Sequence, residues 1–208
     1  PGSVGNERNI MVSQQAGKSN LLAALSRHGI NLAKDDPRID RLLREVKVRE
    51  AAGYSYDGAD ASFVVLAHEM LGTLPQFFDV ESYRTSVERR HNQHGEQITV
   101  TEAIVKIVIG GERFMSVAEG NGPVNALDLA MRKDLGIYSE RIADLELVDF
   151  KVRILDGGTG AVTRVLVESR DGTGERWYTI GVSPNIIDAS FEALYESITY
   201  KLMKTEAA

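Results

Sequence analysis

Two stretches of the chain place a Gly three residues ahead of a Pro and follow it with small residues. They are Gly120-Asn121-Gly122-Pro123-Val124-Asn125-Ala126 and the segment from Gly181 through Pro184 to Ser190. Proline at a first helical turn lacks an N–H that would have no partner there. The remaining free N–H groups and the positive helix end favour an anion, such as the carboxylate of an amino acid. Small residues at Gly120, Gly122, Ala126, Ala189 and Ser190 leave room for a ligand to approach the backbone. The competing reading is plain punctuation, since glycines and prolines mark strand-to-helix turns in every α+β protein.

Other residues that could do chemistry are weaker candidates. His91-x-x-His94 would be half of a metal site, but it lies in the polar hairpin RRHNQHGEQ with no convincing further ligands, and reads as a solvated loop. His28 and His68 fall in helical segments, at the surface or the edge of a core. Asp57, Asp60 and Glu69 could be imagined as paired carboxylates. Asp57-Gly58 reads better as turn chemistry and Asp60 as a helix cap. The segment QQAGKSN lacks the GxxxxGK[ST] spacing of a phosphate loop. Trp177 and Phe191 are expected in the core or an interface. No Ser/His/Asp, Cys/His or metal constellation emerges.

The elements that position these residues change period along the chain. Up to about residue 75 the pattern is helical. Ser19 caps a helix carrying Leu21, Leu22 and Leu25 that stops at Gly29. Pro37 opens a second, with Ile39, Leu42, Leu43 and Val46 at helical spacing until Gly53. A third, with Phe63, Leu66 and Met70 on one face, ends at Gly72. Three helices this short bury little surface together and are expected to pack on a neighbour. From about Phe77 the period becomes 2. Tyr83, Thr85 and Val87 mark one strand, and Ala103, Val105, Ile107 and Ile109 the next. Gly110-Gly111 makes a hairpin turn into Phe114, Ser116 and Ala118, and a helix runs from Pro123 towards Gly136. The order then repeats. Phe150, Val152 and Ile154 are followed by Thr163, Val165 and Val167, a turn at Asp171-Gly172, then Trp177 and Thr179. A closing helix carries Ile187, Phe191, Leu194, Ile198 and Leu202 on one stripe. The two Gly-x-x-Pro motifs stand 61 residues apart. The expected fold is α+β: a helical linker subdomain over 1–75, then a duplicated βββα domain over 76–208.

The bulk properties exclude several classes. A net charge of −6 with no run of Lys or Arg argues against nucleic acid as a partner. With no cysteine there are no disulfides, zinc ribbons or thiol nucleophiles, which fits a reducing cytoplasm. No apolar run approaches the roughly 20 residues of a membrane span. The opening PGSVGNERNIMV reads like the middle of a longer chain.

Five stretches resemble a known family: VGNERNIMVSQQAGKSNLL, GYSYDGADASF, EGNGPVNALDLAMRKDLG, DFKVRIL followed by GTGAVTRVLVES, and WYTIGVSPNIIDASFEAL. They are similar to the C-terminal half of the 2-isopropylmalate synthase family, most of all its citramalate synthase branch. The resemblance implies a parent acyltransferase of branched-chain amino-acid biosynthesis. In that family an N-terminal TIM barrel condenses acetyl-CoA with a 2-oxo acid at a divalent metal held by an Asp and an HxH pair. This sequence contains no HxH and no room for a barrel, so the chain by itself is expected to be inactive and to hold no cofactor. The resemblance further implies a linker that reaches towards a partner's active site. It also implies a regulatory domain that forms a homodimer and binds a feedback inhibitor, isoleucine in the citramalate branch or leucine in the other. Carried over by motif, the effector-binding residues are Gly120, Asn121, Gly122, Pro123, Asn125 and Ala126 at the first helix start. At the second they are Ile186, Ile187, Asp188, Ala189 and Ser190. Asn125 stands where the family commonly has Asp, which leaves open whether the ligand's ammonium meets its partner there or at Asp188. Two rivals stand beside this reading: a dimerisation module with no effector site, and a free-standing enzyme using the acidic residues of GYSYDGAD.

Overall fold

The computed structural model describes residues 17–155 and 161–207. The motif VGNERNIMVSQQ and residues 158–160 of the GTGAVTR stretch lie outside the described residues. Three helices come first: α1 (Lys18–Arg27), α2 (Pro37–Ala52) and α3 (Asp60–Leu71). Pro37 occupies the first turn of α2, and the Asp36 side chain accepts from Arg38 N–H at its cap. Two expected caps are displaced. The N-cap of α1 is Gly17, with Ser19 already inside the first turn, and that of α3 is Ala59, with Asp60 the first helical residue. Asp60 therefore serves α3 as a negative charge in its first turn, where the dipole favours one. Gly53 and Gly72 end α2 and α3 at positive φ, a conformation that glycine alone adopts freely.

Two three-stranded antiparallel meanders follow, each closed by a helix. The first comprises β1 (Asp79–His91), β2 (Gln97–Ile109), β3 (Glu112–Gly120) and α4 (Pro123–Lys133). After two short 3-10 turns comes the second: β4 (Glu146–Ile154), β5 (Thr163–Arg170), β6 (Arg176–Ser183) and α5 (Ile186–Ala207). The period-2 reading holds at residue level: Ala103, Val105, Ile107 and Ile109 are all buried. Gly110 and Gly111 both have positive φ, as the tight β2–β3 turn demands. The first helix ends at Lys133, short of the expected Gly136, which instead opens a 3-10 turn.

The duplication is plainer in packing than in residue identity. Each first strand carries a bulge just after its second residue, between Val80 and Ser82 in β1 and between Leu147 and Asp149 in β4. In each unit a glycine at or near the end of the third strand touches the helix that follows. A Cβ on Gly120 would lie 2.5 Å from the Ala126 nitrogen, and one on Gly181 would lie 1.9 Å from the Ala189 carbonyl oxygen. Each helix also reaches the other unit at a matched point. Arg132 on α4 donates to the carbonyl of Leu145, just before β4, and Tyr195 on α5 donates to that of Phe78, just before β1.

The helix α5 is buried on nearly all sides, as a central helix must be. Ala189 and Ala193 meet β6, with Thr179 donating to the Ala193 carbonyl. Phe191 and Tyr195 face Tyr83 and Phe78 of the first unit. Glu192 and Glu196 face the linker. Tyr54 donates to Glu192 at 2.5 Å, and Ser62 donates to Glu196. The same two groups cover the free edge of β6, where Ile180 N–H donates to Ser62 Oγ and Val182 N–H to Glu192. The three N-terminal helices do pack on a neighbour. Leu21, Leu25, Ile39, Leu42, Val46 and Phe63 form a core with Ile180, flanked by Leu166 and Val182, on the outer face of the second sheet.

These contacts yield two expectations. Gly181→Ala overpacks the β6–α5 contact and lowers stability by about 3 kcal/mol, read as a fall in thermal midpoint; an unchanged midpoint would contradict the close approach. The carboxyl of Glu196 is pushed up to about 8, chiefly by burial and further by Glu192, against the opposing donation from Ser62. A raised acid binds more protons in the folded state. Stability is therefore full below the ordinary value of 4.5 and declines as pH rises to about 8. Urea unfolding across that window should show the decline in the wild type and a flatter profile in Glu196→Gln.

Candidate functional site

The two helix openings differ in plan: Pro123 is the first residue of α4, whereas Pro184 lies two residues ahead of α5, outside the first turn expected for it. At the first, Gly122 is the N-cap of α4 in extended backbone and supplies no side-chain cap, and Pro123 has no N–H. Asn125 Oδ1 accepts from Asn121 N–H at 3.1 Å, which closes the turn on its outer side. Ala126 N–H is satisfied by the Gly122 carbonyl at 2.9 Å. The N–H groups of Val124 and Asn125 have no partner among the described residues. Gly120 and Ala126 are spent on strand–helix contact, so the groups facing outward here are Asn121, Gly122, Pro123 and Asn125.

At the second opening a side chain takes one of the helix-start N–H groups. Asn185 Oδ1 accepts from Ile187 N–H at 2.8 Å, giving α5 the side-chain cap that α4 lacks. Ser190 is fully buried and donates to the Ile186 carbonyl at 2.7 Å. Ala189 is buried against Gly181, and Ile186 is exposed. Asp188 accepts a short hydrogen bond from the hydroxyl of Tyr83 on β1. The Tyr83 ring stacks on Phe191, centroids 4.2 Å apart and planes 14° apart.

Whether the two openings lie together is answered by the strand register. Asp188 is tied to Tyr83, which pairs with Val105 of β2. The first opening follows Gly120, which pairs with Thr101. Those levels are four residues apart along β2, roughly 13 Å at about 3.3 Å per residue. The α5 opening thus faces the first strand of the other unit, not its counterpart.

Equating the two units by bulge and helix start puts Phe150 of β4 in the place of Tyr83, Asn125 in that of Asp188, and Asp128 in that of Phe191. None of the plug is reproduced there. Phe150 is 41% exposed and stacks on no ring among the described residues. Asp128 turns inward and pairs with Arg132 at 2.5 Å, and burial holds its carboxyl above the usual range despite that partner. Val152 and Ile154 continue the exposed stripe at 39% and 70%. The sheet face that α5 fills beside β1 stands open beside β4. Tyr83 and Phe150 were the residues that motif reading passed over. The signal for them lay in aligning the first strands of the repeat.

The weaker candidates stay apart. His91 ends β1 and His94 lies within the exposed turn after it, in which Asn92 Oδ1 accepts from the N–H groups of His94 and Glu96. Asp60 and Glu69 sit at opposite ends of α3, and Glu69 lies 3.6 Å from Arg49. Among the described residues there is no group of three or more side chains placed to hold a metal ion. No helix among them is long and apolar enough to cross a membrane.

Comparison with known proteins agrees with this architecture. Residues 57–202 match the family model described as the LeuA allosteric (dimerisation) domain. The (R)-citramalate synthase of Geobacter sulfurreducens is 43% identical over 99% of this chain and 39% of its own length. That of Synechocystis is 44% identical over 97% of this chain and 37% of its own. A probable 2-isopropylmalate synthase of Archaeoglobus fulgidus is 25% identical over 97% of this chain and 37% of its own. The chain thus spans under two-fifths of the length of these relatives. With the matched region covering both βββα units and α3, the chain belongs to the LeuA allosteric (dimerisation) domain family.

Proposed function

We propose that this chain is the feedback-regulatory and dimerisation region of a citramalate or 2-isopropylmalate synthase, and that it binds isoleucine or leucine at the opening of α4. The observation that carries this reading is the inequality of the two openings. One is capped by Asn185 and plugged by Tyr83. The other has no side-chain cap, and its repeat-equivalent strand carries an exposed apolar stripe. The ligand carboxylate takes the N–H groups of Val124 and Asn125, where the helix dipole favours it. With Asp188 engaged by Tyr83, the ammonium falls to the second lone pair of Asn125 Oδ1. The branched side chain lies towards Phe150 and Val152.

The same stripe supports homodimerisation. Phe150, Val152 and Ile154 share one face of an edge strand, and an exposed row of this kind on a sheet edge invites a second copy. Residues 1–75 act as the linker in this reading. Effector binding biases the regulatory pair, and α5 passes the bias to the linker through Tyr54–Glu192 and Ser62–Glu196. A coupling of this kind is worth roughly 1–3 kcal/mol. The divalent metal and acetyl-CoA of the parent enzyme belong to a catalytic part outside this chain, and a cytoplasmic location goes with that chemistry. A second reading, a dimerisation module without an effector, is favoured by the stripe alone, which needs no ligand to explain it.

Isothermal titration with isoleucine, leucine and valine separates the two. Saturable heat with one of the first two supports the regulatory reading, and no heat at millimolar concentration with any supports the second. Asn125→Ala should weaken that binding by about tenfold, about 1.4 kcal/mol. Phe150→Asp should convert dimer to monomer in sedimentation while the circular dichroism spectrum is kept. A dimer unaffected by that substitution places the interface elsewhere.

A further inference from the structure

A second cleft lies on the opposite face of the second sheet, away from both helix openings. It has a volume of about 230 Å³ and is lined by Ser55 and Asp57 from the loop between α2 and α3, by Lys151 and Arg153 of β4, by Arg164 and Leu166 of β5, and by Ile180 of β6. Leu166 and Ile180 belong to or flank the linker core and give the cleft an apolar floor. Its walls carry three cations against one carboxylate.

The cations are placed at a cost. Arg153 and Arg164 are directly opposite each other across the β4–β5 ladder, an arrangement of like charges that destabilises a sheet. Arg164 cannot swing away, because its Nε donates to the Gly53 carbonyl at 2.6 Å. Burial lowers the proton affinity of its guanidinium, and the charge of Arg153 lowers it further. Arg153 has no acidic partner among the described residues, and Lys151 has only Asp149 at 3.9 Å. A pair of arginine forks in register suits an oxyanion, since each can give two parallel N–H groups to a carboxylate or phosphate. The volume is below that of ordinary drug-sized pockets, about 300 Å³ and upward, which restricts the occupant to a compact molecule.

We propose that this cleft binds a small dianion, either a dicarboxylate or a phosphate group, between the linker loop and the second sheet. The bound anion relieves the Arg153–Arg164 repulsion and ties Ser55 to β4 and β5, so that it fixes the linker on the sheet from a point distinct from the effector opening. The assignment does not depend on the amino-acid reading, since it shares no residue with the α4 opening.

The test is isothermal titration of the 208-residue chain with sodium phosphate and, separately, with malate, against sodium chloride at equal ionic strength. One saturable site per chain is expected for at least one of the two probes, lost or weakened by about tenfold or more in Arg153→Gln. Saturation by malate alone assigns the dicarboxylate, and by phosphate alone the phosphate group. Arg153→Gln without ligand should melt no lower than the wild type, since it removes a like-charge neighbour, and Asn125→Ala should bind the probes as the wild type does. Response to neither probe beyond that to chloride, or equal binding in Arg153→Gln, overturns the proposal.

Discussion

The structure depends on one helix that has no free side. Most helices bury a stripe and show the rest to water, but α5 meets β6 through Ala189 and Ala193, the first unit through Phe191 and Tyr195, and the linker through Glu192 and Glu196. The close approach at Gly181 sets its height on the second sheet, and the Tyr83–Asp188 bond sets its start against the first. Burying Glu196 on such a helix, with Glu192 half-buried beside it, is costly unless each is held by hydrogen bonds. Here Tyr54 and Ser62 supply donors from the N-terminal segment and Val182 N–H supplies another to Glu192, so docking of that segment offsets part of the cost of placing the two groups. Docking of the N-terminal helices closes one part of the β6 edge, where Ser62 takes the N–H of Ile180, while Glu192 of α5 itself takes that of Val182.

A duplicated unit starts with two equal sites, and this chain has made them unequal. The matched bulges, the matched glycine contacts and the matched donations to Phe78 and Leu145 show a common plan. Against that plan, Tyr83 and Phe191 fill one niche from within, while Phe150 and Asp128 leave the corresponding niche unfilled. A side chain that occupies a niche rigidifies it and binds nothing further, whereas an empty niche can take a ligand or a partner surface. The difference in packing between the two halves follows from those few residue differences.

Much of this was legible in the sequence, and the exceptions have physical reasons. The period of 2 in Ala103, Val105, Ile107 and Ile109 marked a buried strand face because a sheet enforces that alternation. The same alternation in Phe150, Val152 and Ile154 marked a strand but not its burial, since pattern does not say whether a helix covers that part of the sheet. Small residues at Gly120, Ala126, Ala189 and Ser190 looked like room for a ligand, yet most of that room is taken by strand–helix contact, which needs small residues for the same reason. The caps of α1 and α3 fell one or two residues from expectation because cap preference is weak where tertiary packing fixes the helix start. The tie between Tyr83 and Asp188 joins residues 105 apart, and nothing local announces it.

The central claim, that the opening of α4 and not that of α5 receives the ligand, is tested most directly by amide NMR during addition of isoleucine or leucine. The account predicts that the Val124 and Asn125 N–H resonances move downfield together and saturate, while those of Ile187 and Asp188 change little. Movement at Ile187 and Asp188 with Val124 and Asn125 unmoved would contradict it.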